Sequence, residues 1–238
     1  MITASREKQT VFIAENWDEC SNKMYELMAE GYVVTNLVHR DPYYCVVMDK
    51  GTTWQVQDIL FAADFPRLEI NDYWDKGLDI TYITADDLTW MIYFCAGSGI
   101  SGQEWYFKKS FEEIRGAINS LWKQNKVITD LKKSYGGIVV VMSGGLKWNQ
   151  MWTMNREFPE SIMRKEGKEN KRAITLLTGI DGYYFMVMSA GTEITFQDIY
   201  MAKTLNKVEK RLEERWDEGL YVTSAAFVRD ELLLVFSK

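Results

Sequence analysis

Five runs of nearly continuous apolar residues punctuate the chain: "YCVVM" (44–48), "WMIYF" (90–94), "IVVVM" (138–142), "YFMVM" (184–188) and "LLLVF" (232–236). Runs this short and this uniformly apolar suit β-strands covered on both faces. Ahead of each lies a segment rich in β-branched and aromatic residues: "YVVTNL", "LDITYI", "KVITDL", "RAITLL" and "LYVTSA". These predict a first strand for every apolar second strand. Behind four of the runs comes a Gly-containing connection and then a segment carrying a Gln: "WQVQDILF", "GQEWYF", "WNQMWTM" and "ITFQDIYM". The segments "FPRLEINDYWDKG", "FEEIRGAINSLWKQN" and "LNKVEKRLEERWDEG" space their apolar residues three and four apart, the period of a helix.

The pattern is a repeat. Taking the Thr that closes each first strand, Thr35, Thr81, Thr129, Thr175 and Thr223 recur at steps of 46, 48, 46 and 48 residues. Gln57, Gln103, Gln150 and Gln197 recur at 46, 47 and 47. A fixed period of this length signals stacked or ringed copies of one supersecondary unit. Trp74, Trp122 and Trp216 each stand seven residues before the repeat Thr, where unit one has Met28 and unit four has Lys168. Unit four is the outlier, and its polar helix is expected to be short or frayed.

The expected fold is α/β: a closed five-unit propeller of single-domain extent, 1–238. Its strand–helix–strand–strand units fall at roughly 9–48, 54–95, 103–142, 148–188 and 194–237. The fifth unit stops at Ser237-Lys238, before any Gln strand, while the chain opens with "KQTVFIAEN" and its Gln9. The N-terminal strand is therefore expected to complete the last unit, closing a ring with no open sheet edge.

Unit order and number resemble the pentein-type α/β propeller, a fold that hosts guanidino-modifying hydrolases and transferases as well as a non-catalytic ribosome anti-association factor. In sequence, W-x-x-G-x-x-(I/V)-T followed by an apolar "VVMS" run, G-T and a Gln resembles the repeat domain C-terminal to plant and algal casein-kinase-1-like kinases. Free-standing bacterial proteins carry that domain too. "WDKGLDIT", "VVMSGG", "MVMSAGTEITFQ" and "WDEGLYVT" carry the likeness, which implies an interaction or regulatory role.

Composition narrows the function classes. At 47% hydrophobic and 26% charged the chain is globular, and a formal charge of −6 argues against general nucleic-acid binding. The densest basic run, "RKEGKENKR" (164–172), reads as a solvated connection or a local patch. The opening "MITASREKQTVFIAEN" lacks a long apolar stretch, and no run reaches a membrane span. Cys20, Cys45 and Cys95 lack CxxC spacing and suggest free thiols in a reducing, cytoplasmic setting.

No metal cluster, phosphate loop or nucleophile motif is legible, so no metal, cofactor or catalytic residue is expected. His39, the one histidine, sits in "VHRDPYY" and reads as a surface loop residue. Cys95 aligns with Asp49, Ser143, Ser189 and Ser237, small polar residues directly after the apolar strand. Two readings stand: a polar mouth that binds something, or residues that start the turn by bonding nearby amides. With Lys50, Thr52 and Thr192 they make the candidate binding set at the loop end of the repeat. The Gln of each unit reads as a buried scaffold group. Trp54, Trp105, Trp148 and Trp152 would be a recognition surface if exposed and core if buried. The leading expectation is a non-catalytic module binding a protein or small molecule, away from membranes. The alternative is a pentein-type enzyme with a Cys nucleophile.

Overall fold

The computed structural model describes residues 7–86, 89–134 and 136–238. Among them lie five units, each strand–helix–strand–strand. The first holds β1 (Lys8–Ala14), α1 (Trp17–Ala29), β2 (Tyr32–Arg40) and β3 (Tyr43–Lys50). The second holds β4 (Gln55–Ala62), α2 (Glu69–Asp75), β5 (Asp79–Ala85) and β6 (Trp90–Ala96). The third holds β7 (Ser101–Lys108), α3 (Phe111–Trp122), β8 (Val127–Ser134) and β9 (Gly137–Gly144). In the fourth are β10 (Asn149–Asn155), α4 (Glu160–Asn170), β11 (Ala173–Ile180) and β12 (Tyr183–Ala190). The fifth has β13 (Gln197–Ala202), α5 (Val208–Asp217), β14 (Tyr221–Val228) and β15 (Glu231–Ser237).

Each unit folds into its own three-stranded antiparallel sheet, with the apolar strand in the centre. This explains why that strand is apolar throughout: both its edges are paired and both its faces are covered. Val46, Val47, Ile92, Phe94, Val140, Met186 and Leu234 are all 0% exposed. The repeat Thr does not close its strand as expected from sequence. It lies inside, as the extra residue of a β-bulge, because the register slips between Val34 and Asn36, Ile80 and Tyr82, Ile128 and Asp130, Ile174 and Leu176, and Val222 and Ser224. The bulge turns the hydroxyl inward: Thr35 Oγ1 donates to Val47 O at 3.3 Å, Thr81 Oγ1 to Tyr93 O at 3.2 Å.

The expected completion of the last unit by the N-terminal strand is corrected. β1 pairs with β3, from Lys8↔Lys50 to Ala14↔Tyr44, and so completes the first unit. β15 has no vacant edge to offer it, since β13 and β14 already flank it. What β1 sends to the fifth unit is a side chain. Gln9 Nε2 donates to Val222 O at 2.9 Å, and Gln9 Oε1 accepts from Val222 N at 2.8 Å.

The chain divides into two compact bodies. One comprises Met1–Gly51 and Trp148–Lys238, the other Thr52–Lys147. Within the first, β14 lies between β11 and β2. Leu177 N donates to Ser224 Oγ at 3.0 Å, and Ala225 N to Asn36 Oδ1 at 3.2 Å. Its core includes Val38, Val47, Leu212, Val222, Leu234 and Phe236. Within the second body β5 adjoins β8, and Ile83 N donates to Asp130 Oδ2 at 2.5 Å. Ile70, Ile80, Ile92, Phe94, Val139 and Val141 form a core there.

The helices cover the sheets and stop in a common way. Four residues before each repeat Thr the backbone enters the left-handed region: Gly31, Gly77, Asn125, Lys171 and Gly219 have φ of 91°, 75°, 59°, 51° and 72°. Gly takes this conformation without a Cβ penalty, and Lys does not. α4 is not short, running eleven residues, but it buries none of its own side chains. Replacing Lys171 with Gly is therefore expected to stabilise the protein by about 1 kcal/mol, measured by urea denaturation. A loss of stability in that variant would mean that the Lys171 side chain does more for the fold than its backbone costs.

Candidate functional site

The Gln strands connect separate sheets through one repeated arrangement. In the second body, Gln103 Oε1 accepts from Ile80 N at 2.7 Å, and its Nε2 donates to Ile80 O at 2.8 Å and Ser143 Oγ at 3.1 Å. A side-chain amide here pairs with a strand residue as another strand would. In the first body Gln9 binds Val222 and Asp49 Oδ1 in the same way, and Gln197 binds Ile174 and Ser237 Oγ. The residue bound always immediately precedes the bulged Thr, where the slipped ladder leaves an N–H and a C=O to satisfy.

A second partner completes two of these amides. Trp74 Nε1 of α2 donates to Gln103 Oε1 at 3.1 Å, and Trp216 Nε1 of α5 donates to Gln9 Oε1 at 3.2 Å. Each indole lies half-buried against the apolar cluster of its body. Four residues on, Leu78 and Leu220 extend the same plug.

The pattern is complete in units two and five. Unit one has Met28 and Tyr32 at these positions, and unit three has Lys126 and a Trp122 whose Nε1 has no partner among the described residues. Unit four departs in both places. Lys168 stands at the Trp position and Arg172 at the Leu position. Lys168 is exposed, so its chain does not fill the indole's place, and among the described residues Gln197 Oε1 accepts from Ile174 N alone, at 2.6 Å. A cavity of about 760 Å³ results, with Gln197 and Ala173 in its wall. Met163, Ile194 and Phe196 supply apolar surface; Phe196 is 53% exposed. Arg164, Lys168, Lys171 and Arg172 supply four cationic groups, and no carboxylate lines the cavity among the described residues.

Those cations differ in how far they are committed. Arg172 Nη1 is held by Glu166 Oε2 and its Nη2 by Asn149 Oδ1, both at 2.5 Å. Arg172 and the Asn170 amide hold the Glu166 carboxyl below its usual range. Arg164 makes a surface pair with Glu160 at 2.6 Å, worth little in water. Lys168 and Lys171 are exposed and make no ion pair among the described residues.

Of the eight residues expected to bind, Asp49, Cys95, Ser143, Ser189 and Ser237 lie inside the protein, none more than 5% exposed. They close the Gln arrangement: Gln9 donates to Asp49, Gln57 to Cys95 Sγ at 3.5 Å and Gln150 to Ser189 Oγ at 3.2 Å, alongside the two serines above. Lys50, at the end of β3, and Thr52 and Thr192, in the connections, are half-buried. Lys50 lies over the Tyr32 ring, and among the described residues the buried Thr192 Oγ1 has no partner. The cavity opens at this same end, since residues 194–196 continue the connection that contains Thr192.

Other expectations resolve simply. His39 is in β2 rather than a loop, and its ring packs on Tyr44 with centroids 4.4 Å apart. Trp54 is buried, while Trp105, Trp148 and Trp152 are half-buried; Trp152 stacks on Phe185. None of these four is an exposed recognition aromatic. Phe196 is more exposed than any of them, at 53%. Burial pushes the thiols of Cys20 and Cys45 up to about 12 and that of Cys95 to about 11. Among the described residues no cluster of His, Cys, Asp and Glu could hold a metal ion, and no helix is long and apolar enough to cross a membrane.

A second cavity, about 540 Å³, runs between β1 and α5 in the first body. Glu15, Glu209, Arg40 and Lys203 balance one another around an apolar floor of Val11, Ile13 and Leu205, so it lacks the charge bias of the first.

A search of curated proteins finds no match to the chain. A family model described as a domain of unknown function, DUF7477, matches residues 78–238, which includes the third, fourth and fifth repeats and the whole basic cavity. The chain belongs to the DUF7477 family.

Proposed function

We propose that this chain is a non-catalytic binding module whose ligand is an anion seated in the unit-four cavity. The observation that carries this is the double exchange of an apolar plug for cations. Where α2 and α5 present Trp and Leu, α4 presents Lys168 and Arg172 over an otherwise conserved-in-form Gln arrangement. The Gln and Thr recur in every unit, whereas cations replace both plug residues in unit four alone. The cost is visible in Lys171, held left-handed at φ 51° where Gly would serve better.

Three further observations support the reading. The cavity lies at the loop end, where a rigid scaffold usually carries binding. The three thiols are buried with raised pKa, so none is poised as a thiolate nucleophile near neutral pH. The resemblance to the kinase-associated repeat domain implies interaction rather than chemistry. The free cysteines are in keeping with a reducing, cytoplasmic setting. The ties Gln9–Val222 and Ala225–Asn36 set the last repeat beside the first, as a propeller-type arrangement requires, and that arrangement is part of the proposal.

The test is isothermal calorimetry of the full chain against benzoate, naphthalene-2-sulfonate and inorganic phosphate. Saturable one-to-one binding of at least one anion is expected, weakening with added salt. The variant Lys168→Trp, which restores the plug, should bind none of them while melting cooperatively. Anion binding that survives the plug would put the site elsewhere and sink the proposal.

A further inference from the structure

The fold contains its own template for what fits this cavity. In α2 and α5 an indole occupies the corresponding place, and its N–H reaches the Oε1 of the Gln in the following unit at 3.1 and 3.2 Å. Gln197 presents the same oxygen, fixed by the same two bonds to Ile174 and by a third to Ser237 Oγ at 2.9 Å. A carbonyl-type oxygen has two lone pairs, and Gln103 and Gln9 use both. Gln197 uses one on Ile174 N, and among the described residues no donor takes the second.

Resting on the binding-module reading, we infer that the ligand is an indole bearing a carboxylate. The ring N–H donates to Gln197 Oε1, and the ring faces lie against Met163, Ile194 and the half-exposed Phe196. The carboxylate meets Lys168 and Lys171 at the rim, the two cations with no ion pair among the described residues. The same chemistry is available from a free indole acid or from a Trp side chain beside an acidic residue in a partner. Phosphate or a simple aliphatic acid would satisfy the lysines and leave both the apolar wall and the Gln acceptor unused.

The protein need not be altered to test the key bond. Indole-3-propionate, 1-methylindole-3-propionate, 1-naphthalenepropionate and indole-3-propionamide are titrated into the full chain by calorimetry at low salt. Indole-3-propionate should bind about five- to tenfold more tightly than the 1-methyl and naphthyl acids, the worth of one net hydrogen bond. It should also bind about tenfold more tightly than the uncharged amide. The capped peptide acetyl-Asp-Trp-Asp-amide separates the sources: tighter binding than the free acid assigns the ligand to a partner chain, weaker binding to a small molecule. Lys168→Trp should abolish binding of all of these, and Lys168→Glu provides a second variant should the plug disturb folding. Equal affinity for the indole, methylated and naphthyl acids overturns the indole inference while leaving an aromatic-anion module standing. Absence of binding by every acid overturns both.

Discussion

Truncating Gln103 to Ala is expected to destabilise the protein by about 3–4 kcal/mol in urea denaturation. The side chain is 9% exposed and serves four partners at once: Ile80 N, Ile80 O, Trp74 Nε1 and Ser143 Oγ. Removing it leaves a buried N–H and C=O on β5 that no strand can reach, since β5 is paired only to β6 on that sheet. Each orphaned buried group costs on the order of 1–3 kcal/mol, less where water enters beside the half-buried Trp74. Gln197→Ala should cost visibly less, because Gln197 is only half-buried and has no indole partner. A Gln103→Ala loss below about 1 kcal/mol, or a larger loss at Gln197, would show that the sheets are joined chiefly by apolar packing.

The sequence made the strands and helices legible because each apolar run is long enough to declare a doubly covered strand. Its period also located the Gln and Thr positions. Period alone does not say where a unit begins, however. Gln57 follows "YCVVM" after a short connection and could pair back onto β3 or forward onto β6; the structure takes the second course. Gly51, Gly97, Gly145 and Gly191 make that course possible, all with positive φ, by redirecting the chain between sheets instead of closing a hairpin. Assigning the Gln strand to the preceding hairpin is what put β1 in the wrong sheet.

Site residues were less legible, for a physical reason. Asp49, Cys95, Ser143, Ser189 and Ser237 admitted two readings, a polar mouth or the start of a turn, because small polar residues after an apolar strand usually meet water. Here the Gln and Thr of the same unit satisfy them inside: Thr129 Oγ1 lies 2.8 Å from Ser143 Oγ, Thr223 Oγ1 2.6 Å from Ser237 Oγ. The recurrence that drew notice to them is the mark of scaffold. Lys168 was visible as a departure from the repeat, but the space left by an absent indole belongs to no residue in the sequence.

Asp130 offers the clearest pH signature. It is 4% exposed, and burial pushes its carboxyl up to about 6 from an ordinary 3.8. The N–H groups of Ile83 and Leu131, at 2.5 and 2.7 Å, and the charge of Lys132 offset that burial only in part. Because the folded state holds the proton more tightly than the unfolded chain, stability from this group is greatest at low pH. It declines as pH rises through 3.8 and is fully lost above about 6. Asp130→Asn keeps an amide oxygen for Ile83 N and removes the charge; unit one already uses this solution, with Asn36 accepting from Ala225 N. Because Asn leaves Leu131 N without its acceptor, the variant should fall about 1 kcal/mol below the wild type near pH 3.5 and exceed its stability by on the order of 1–2 kcal/mol at pH 7. Lys132 loses a carboxylate in the exchange, but its attraction is already counted in a carboxyl that still sits near 6. Urea denaturation of both proteins from pH 3.5 to 8 reads the difference directly. A variant less stable than the wild type at pH 7 would mean that the Asp130–Lys132 attraction outweighs the burial of its charge, and the sign of the pH dependence would be reversed.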